Sequence, residues 1–236
     1  MIDDFDELDT EVWLPHYLPH WSSRAESAAT YEVAASELRL TIPVDQGLWC
    51  PEDHEEPLRV SGIQSGILDG QQPFREGLVV REHQEPHRGW MPHYGTIEVR
   101  ARMELSPRSM ASVWIVGFED EPERSGEINL FEVFGDAPRN VGCGIKNFRD
   151  PALTWEFDAP ELDIDISHHH VYAADWRPGR VDFSVDGEHV KTVHQAPDYP
   201  MEMIVAVFDF PAKEGPADHV PLLAVDLVRG ERQLRH

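Results

Sequence analysis

The feature that most constrains this chain is the strict alternation along residues 95–103, Gly-Thr-Ile-Glu-Val-Arg-Ala-Arg-Met. Ile97, Val99, Ala101 and Met103 share one face, and Glu98, Arg100 and Arg102 share the other. A period of two is the signature of a half-buried antiparallel strand. Residues 36–42 alternate in the same way, and 112–118 form an apolar run suited to a strand covered on both faces. Further strand-like stretches follow at 127–134, 140–148, 170–176, 180–185, 188–193, 201–208 and 222–228. Pro178-Gly179 and Asp186-Gly187 mark tight turns between three of them. The best helical candidate is Ser27 to Glu37, where Thr30 to Val33 reads equally well as strand. Many short strands with regular turns predict an all-β sandwich or jelly roll. With no linker, repeat or low-complexity tract, residues 1–236 read as one domain, and 1–30 as an N-terminal extension packed on it. Two long irregular stretches, 43–60 and 147–167, are expected to form functional lips.

Charge narrows the partners. Asp and Glu number 44 against 20 Lys and Arg, a formal net charge of -24. Nucleic acid and anionic membranes both select for basic surfaces, so neither is an expected partner, and sulfated polymers are disfavoured too. No apolar run is long enough for a membrane-spanning helix. The first six residues, Met-Ile-Asp-Asp-Phe-Asp, do not resemble a secretory leader. The expected location is therefore cytoplasmic, or secreted if a leader preceded this start. Cys50 and Cys143 are too few for a stapled scaffold and are expected as buried thiols.

The chemistry concentrates in Gly126-Glu-Ile-Asn-Leu-Phe-Glu-Val-Phe-Gly135. In a regular strand Glu127 and Asn129 share a face while Glu132 falls on the other, inside the core. An unpaired buried charge costs several kcal/mol, on the order of 3–5. A one-residue bulge between Asn129 and Glu132 resolves the conflict and puts all three polar side chains on one face. Two carboxylates on one sheet face are the parts needed for glycoside hydrolysis.

This segment resembles the catalytic strand of glycoside hydrolase family 16, which includes laminarinases and other endo-β-glucanases. The family's bulged pattern is Glu-Ile-Asp-Ile-Met-Glu, matched here by Glu-Ile-Asn-Leu-Phe-Glu at 127–132. Tyr94-Gly95-Thr96-Ile97-Glu98-Val99-Arg100, Trp114-Ile115-Val116-Gly117 and His170-Val171-Tyr172 with Trp176 are similar to flanking family strands. So are Val185-Asp186-Gly187 and Val225-Asp226-Leu227-Val228-Arg229. The resemblance spans about 94 to 229, and more loosely from residue 31. It implies a concanavalin A-like jelly roll of two curved antiparallel sheets, with a sugar cleft on the concave face. It implies Glu127 as nucleophile and Glu132 as general acid/base in a reaction that retains anomeric configuration. The departure is Asn129, where the family carries Asp. Three clustered acids cannot all ionise cheaply, so Asn129 is expected to mimic a protonated aspartate and to donate to Glu127. The competing expectation is lost tuning and weak catalysis.

Trp114, Trp90 and Trp155 are candidate sugar platforms, because pyranose C–H faces stack on indole. Lys146, Asn147 and Arg100 are further candidates for substrate contact. Trp13, Trp21 and Trp49 are expected to pack the N-terminal segment, and Trp176 to be structural. Asp226 matches the position at which some relatives hold a structural calcium, and no other cofactor is expected. The histidine pairs His16/His20, His83/His87 and His168/His170 lack closed-site metal spacing. The expected function is endo-acting, retaining cleavage of a β-1,3 or mixed β-1,3/1,4-glucan by a monomer. The alternatives are a non-catalytic carbohydrate-binding jelly roll and an intracellular oligosaccharide hydrolase or transglycosylase.

Overall fold

The computed structural model describes residues 1–231. Two antiparallel sheets stack as the expected jelly-roll sandwich. One runs Glu188–Val193, Arg180–Val185, His170–Arg177, Gly95–Glu104, Leu222–Glu231, Leu38–Thr41 and Thr30–Val33, with Ile2–Asp3 beside Leu222–Glu231. The other runs Glu156–Asp158, Gly142–Lys146, Glu127–Phe134, Ser109–Gly117, Met201–Asp209 and Arg59–Gln64. This second sheet carries the glutamate strand, for which the family resemblance implies catalysis, and for that reason is called the catalytic sheet below.

The alternation in 95–103 does what it predicts. Ile97, Val99, Ala101 and Met103 are buried in the core between the sheets, while Glu98, Arg100 and Arg102 face outward. Ala111, Val113 and Ile115 enter that core from the catalytic sheet, as do Met203, Val205 and Val207. Phe131 and Tyr172 meet across the interface with ring centroids 4.4 Å apart. Ser109–Gly117 is buried along its whole length, as an apolar run on both faces requires. The Asp186-Gly187 turn has positive φ at both residues (52° and 80°), the type I′ geometry whose twist matches its flanking strands.

Three local readings are settled or corrected. Thr30–Val33 is a strand, not part of a helix. Arg59–Gln64 is a strand that the alternation test misses, because Val60 to Gln64 are all buried and leave no polar face to read. Glu156–Asp158 forms a short edge strand inside the 147–167 stretch expected to be irregular. Both cysteines are buried free thiols.

The outer face of the catalytic sheet is not left to solvent. Met110, Trp114, Val116, Ile204, Ala206 and Phe208 project from it into a second apolar cluster. Leu18, Trp21, Trp49, Cys50 and Leu58 cover them from residues 18–58. The N-terminal segment is anchored at Phe5 and Trp13, which are fully buried in the main core, and at a Leu14–Gln64 bridge. These segments wall a cleft whose floor is the catalytic sheet.

Candidate active site

The cleft floor is built by one irregularity. Across the neighbouring strand, Trp114 pairs with Asn129 and Val113 with Phe131, so Leu130 is the extra residue. On the other side Gly142 pairs with Glu132 and Gly144 with Asn129, with a matching register shift. Ile128, Leu130, Phe131 and Val133 enter the core, leaving Glu127, Asn129 and Glu132 on the opposite, cleft-lining face. The bulge thus re-aims a carboxylate that a regular strand would bury in hydrocarbon. Gly144 sits opposite Asn129 at φ 138°, where a side chain would strike the Glu156 carbonyl.

Glu127 is 8% exposed. Burial pushes its carboxyl up to about 7, opposed by the Lys146 charge and by a hydrogen bond from Asn129. Glu132 and Glu119 push it further in the same direction as burial. Asn129 Nδ2 donates to Glu127 Oε2 at 3.3 Å, which is the contact expected of a residue standing in for a protonated aspartate. Lys146 lies opposite Glu127 in the sheet, and its Nζ donates to Glu132 Oε2 at 2.9 Å. The Lys146 ammonium also lies 4.5 Å from the Phe157 ring centre.

The other sequence candidates divide. Trp114 lines the cleft floor beside Asn129, with its indole Nε1 buried and without a hydrogen-bond partner among the described residues. Trp155 is exposed at the rim, edge-on to Phe148 at 6.1 Å. Asn147 begins the rim loop, where its carbonyl accepts from the Asp150 N–H. Trp90 is not at the cleft: it packs against Gly230 with Met1 and Tyr94 nearby, because the chain there runs under the closing strand. Arg100 is also elsewhere. It lies on the polar face of the other sheet, where Nη1 donates to Asp226 Oδ2 at 2.6 Å. Asp226, the expected calcium ligand, faces Arg100 and His169. Among the described residues no group of three or more His, Cys, Asp or Glu is arranged to hold a metal.

Several cleft residues escaped the sequence reading. Tyr17, Leu58, Gln72 and Phe148 border both the catalytic floor and a second compartment beyond Glu127. That compartment is also lined by Trp49, expected only to pack, and by His54, Phe74 and Glu119. Beyond Trp114 the floor continues as Phe208 and Phe210, whose rings are nearly parallel at 6.5 Å. No local pattern marks these positions.

The model of the glycosyl hydrolases family 16 matches residues 90–214. No curated protein matches the sequence significantly. Among solved structures, the chain is similar to the GlcNAcα1-4Gal-releasing endo-β-galactosidase of Clostridium perfringens, with TM-score 0.88 and 28% identity. That alignment covers 98% of this chain and 61% of the other, so the chain spans about three fifths of that relative. The laminarinase of Flavobacterium sp. UMI-01 superposes with TM-score 0.71 and 18% identity over 98% of this chain and 99% of that one. A structure from work on endo-acting O-glycanases of human gut microbiota that initiate mucin breakdown gives 0.68 and 19%, covering 97% of each chain.

Proposed function

The chain belongs to glycosyl hydrolases family 16, and from that premise we propose an endo-acting, retaining β-glycosidase with Glu127 as nucleophile and Glu132 as general acid/base. The observation that carries this reading is the Leu130 bulge, which turns two carboxylates and an amide toward one aromatic-walled cleft. In the first step Glu127 attacks the anomeric carbon as Glu132 protonates the departing glycosidic oxygen. In the second, Glu132 removes a proton from water, which displaces Glu127.

Proton placement is the demanding part. The first step needs Glu127 ionised and a proton on Glu132. In the free site burial favours a proton on Glu127, and the Lys146 ammonium donates to Glu132. Positive charge developing at the anomeric carbon favours ionised Glu127, and a glycosidic oxygen arriving at Glu132 competes with Lys146. Asn129 keeps its donor aimed at Glu127 throughout without a proton of its own to lose.

For the substrate, the 28%-identical endo-β-galactosidase favours a β-galactoside-containing glycan over the β-glucan that the sequence motifs imply. The laminarinase likeness, at 18%, supports the fold alone. The test is reducing-end release from a GlcNAcα1-4Gal-capped β-galactosyl oligosaccharide, laminarin and mixed-linkage β-glucan. Release that disappears in Glu127→Gln supports the assignment. Roles are separated by azide rescue: a Glu127→Gly product of α-configuration and a Glu132→Gly product of β-configuration are expected. The reverse pattern exchanges the two roles. Sugar binding without turnover on any substrate supports the carbohydrate-binding alternative.

A further inference from the structure

The compartment beyond Glu127 has a cavity volume of about 180 Å³, room for a substituent of a sugar and not for a chain of them. Its walls are mainly apolar and aromatic, supplied by Tyr17, Trp49, Leu58, Phe74 and Val116. Trp49 and Phe74 meet at 5.3 Å, and Tyr17 stands edge-on to Trp49 at 5.1 Å. Most polar groups there already have partners. Glu119 accepts from the Gln72 N–H at 3.0 Å and from Arg149. Ser125 Oγ accepts from the Arg149 N–H at 2.9 Å. His54 Nδ1 lies 2.6 Å from the Glu56 carbonyl.

Gln72 is different. Its side-chain nitrogen is buried and has no hydrogen-bond partner among the described residues, and the residue itself lines the compartment. A buried amide left unpaired costs roughly 1–3 kcal/mol, so its retention in a cleft points to a ligand acceptor. The backbone at Gln72 is also held in place. Gln72 has φ 50°, a left-handed conformation that its neighbours must impose. Glu119 grips its N–H, and the preceding residue is anchored from three sides. Gln71 Nε2 donates to the fully buried Glu202, and the Gln71 carbonyl lies 2.8 Å from Trp21 Nε1 and 3.0 Å from His20 Nε2.

We propose that this compartment recognises an N-acetyl group of the substrate, with Gln72 Nε2 donating to the acetamido carbonyl and the methyl packing on Trp49 and Phe74. An unpaired donor beside apolar and aromatic walls matches an amide carbonyl beside a methyl. A hydroxyl-rich sugar face would leave several groups unpaired there. Gln72 is then a specificity residue, and its anchors Glu119 and Glu202 are positioning residues. The assignment rests on the glycosidase reading for its role in turnover, though not for binding itself.

Two measurements separate the claims. Calorimetry with N-acetyl-D-glucosamine and with D-glucose tests the site directly. Binding of the first at least tenfold tighter, lost in Gln72→Leu with the unfolding midpoint unchanged, is expected. Equal binding of both sugars, no binding of either, or an unaffected variant overturns the proposal. Kinetics then use two β-galactosyl oligosaccharides that differ only in a terminal N-acetylglucosamine or glucose. A wild-type preference of roughly tenfold or more, carried by KM and abolished in Gln72→Leu, is expected for a donor left unpaired by the wrong substrate. Preference that survives in the variant overturns the assignment to Gln72. Acetamido binding without turnover of either substrate overturns the glycosidase reading alone.

Discussion

At the scale of single residues, the site is governed by the environment of Glu127. Its carboxyl titrates near 7 in the fold against an ordinary value of 4.5, because burial disfavours the charge. A carboxyl raised in this way contributes stability that is complete below about pH 4.5. That contribution is lost as pH rises through 7, since the unfolded chain then sheds its proton first. Glu127→Gln should therefore match wild type at pH 4 and exceed it at pH 8, by up to about 3 kcal/mol. Denaturant melts at both pH values check this, and equal stability at pH 8 would exclude burial as the cause. As the proposed nucleophile Glu127 must be ionised, so activity should rise with pH along a limb near 7. Lys146→Met removes the charge that holds Glu127 down, and Asn129→Asp replaces a donor with an acid. Both should move that limb to higher pH. An Asn129→Asp enzyme with unchanged rate and pH profile would show that this position does not tune the site.

At the scale of the element, the Glu127–Phe134 strand works only because it is irregular. Leu130 and Phe131 are consecutive and both enter the core, which a regular pleat forbids. Deleting Leu130 leaves Glu-Ile-Asn-Phe-Glu, whose regular alternation keeps Glu127, Asn129 and Glu132 on one face without a bulge. We expect the deletion to keep its carboxylates in the cleft and some activity, and to lose about 2–5 kcal/mol with the buried leucine. Leu130→Ala keeps the bulge and creates only a cavity, at a similar cost, while activity survives below the melting transition. Circular dichroism melts read beside reducing-end assays check both variants. Complete loss of activity in a folded deletion would mean that the bulge sets the spacing of the two carboxylates and not only their facing.

At the scale of the whole molecule, the net charge of -24 and the two-layer core pull against each other. Self-repulsion of a strongly acidic surface destabilises the compact state, and salt screens it. The unfolding midpoint should rise from 10 to about 300 mM sodium chloride, as scanning calorimetry would show. A midpoint that falls would mean that attractive surface pairs, such as Arg100–Asp226, outweigh the repulsion. The same scale explains how the cleft closes. Residues from the N-terminal segment, the 43–60 stretch and the loop around Gln72 converge on one sheet face, although they are scattered over some sixty positions.

What the sequence determined by itself is what a period of two can carry. Alternation assigned the faces of Gly95–Glu104, and turn chemistry placed the Asp186-Gly187 hairpin. The misfit of two glutamates in one apolar strand required the bulge before any neighbour was known. These are local consequences of backbone geometry and of the cost of burying charge. Other features were beyond such reasoning. Arg100, Asp226 and Trp90 carry suitable chemistry but belong to other parts of the sandwich, since alternation names a face without saying which sheet or loop it meets. Trp49, Phe74 and Gln72 carry no local mark of a binding site, yet packing over the catalytic sheet gathers them beside Glu127. Only the tertiary structure decided that, because contacts between distant segments depend on how whole layers fit together.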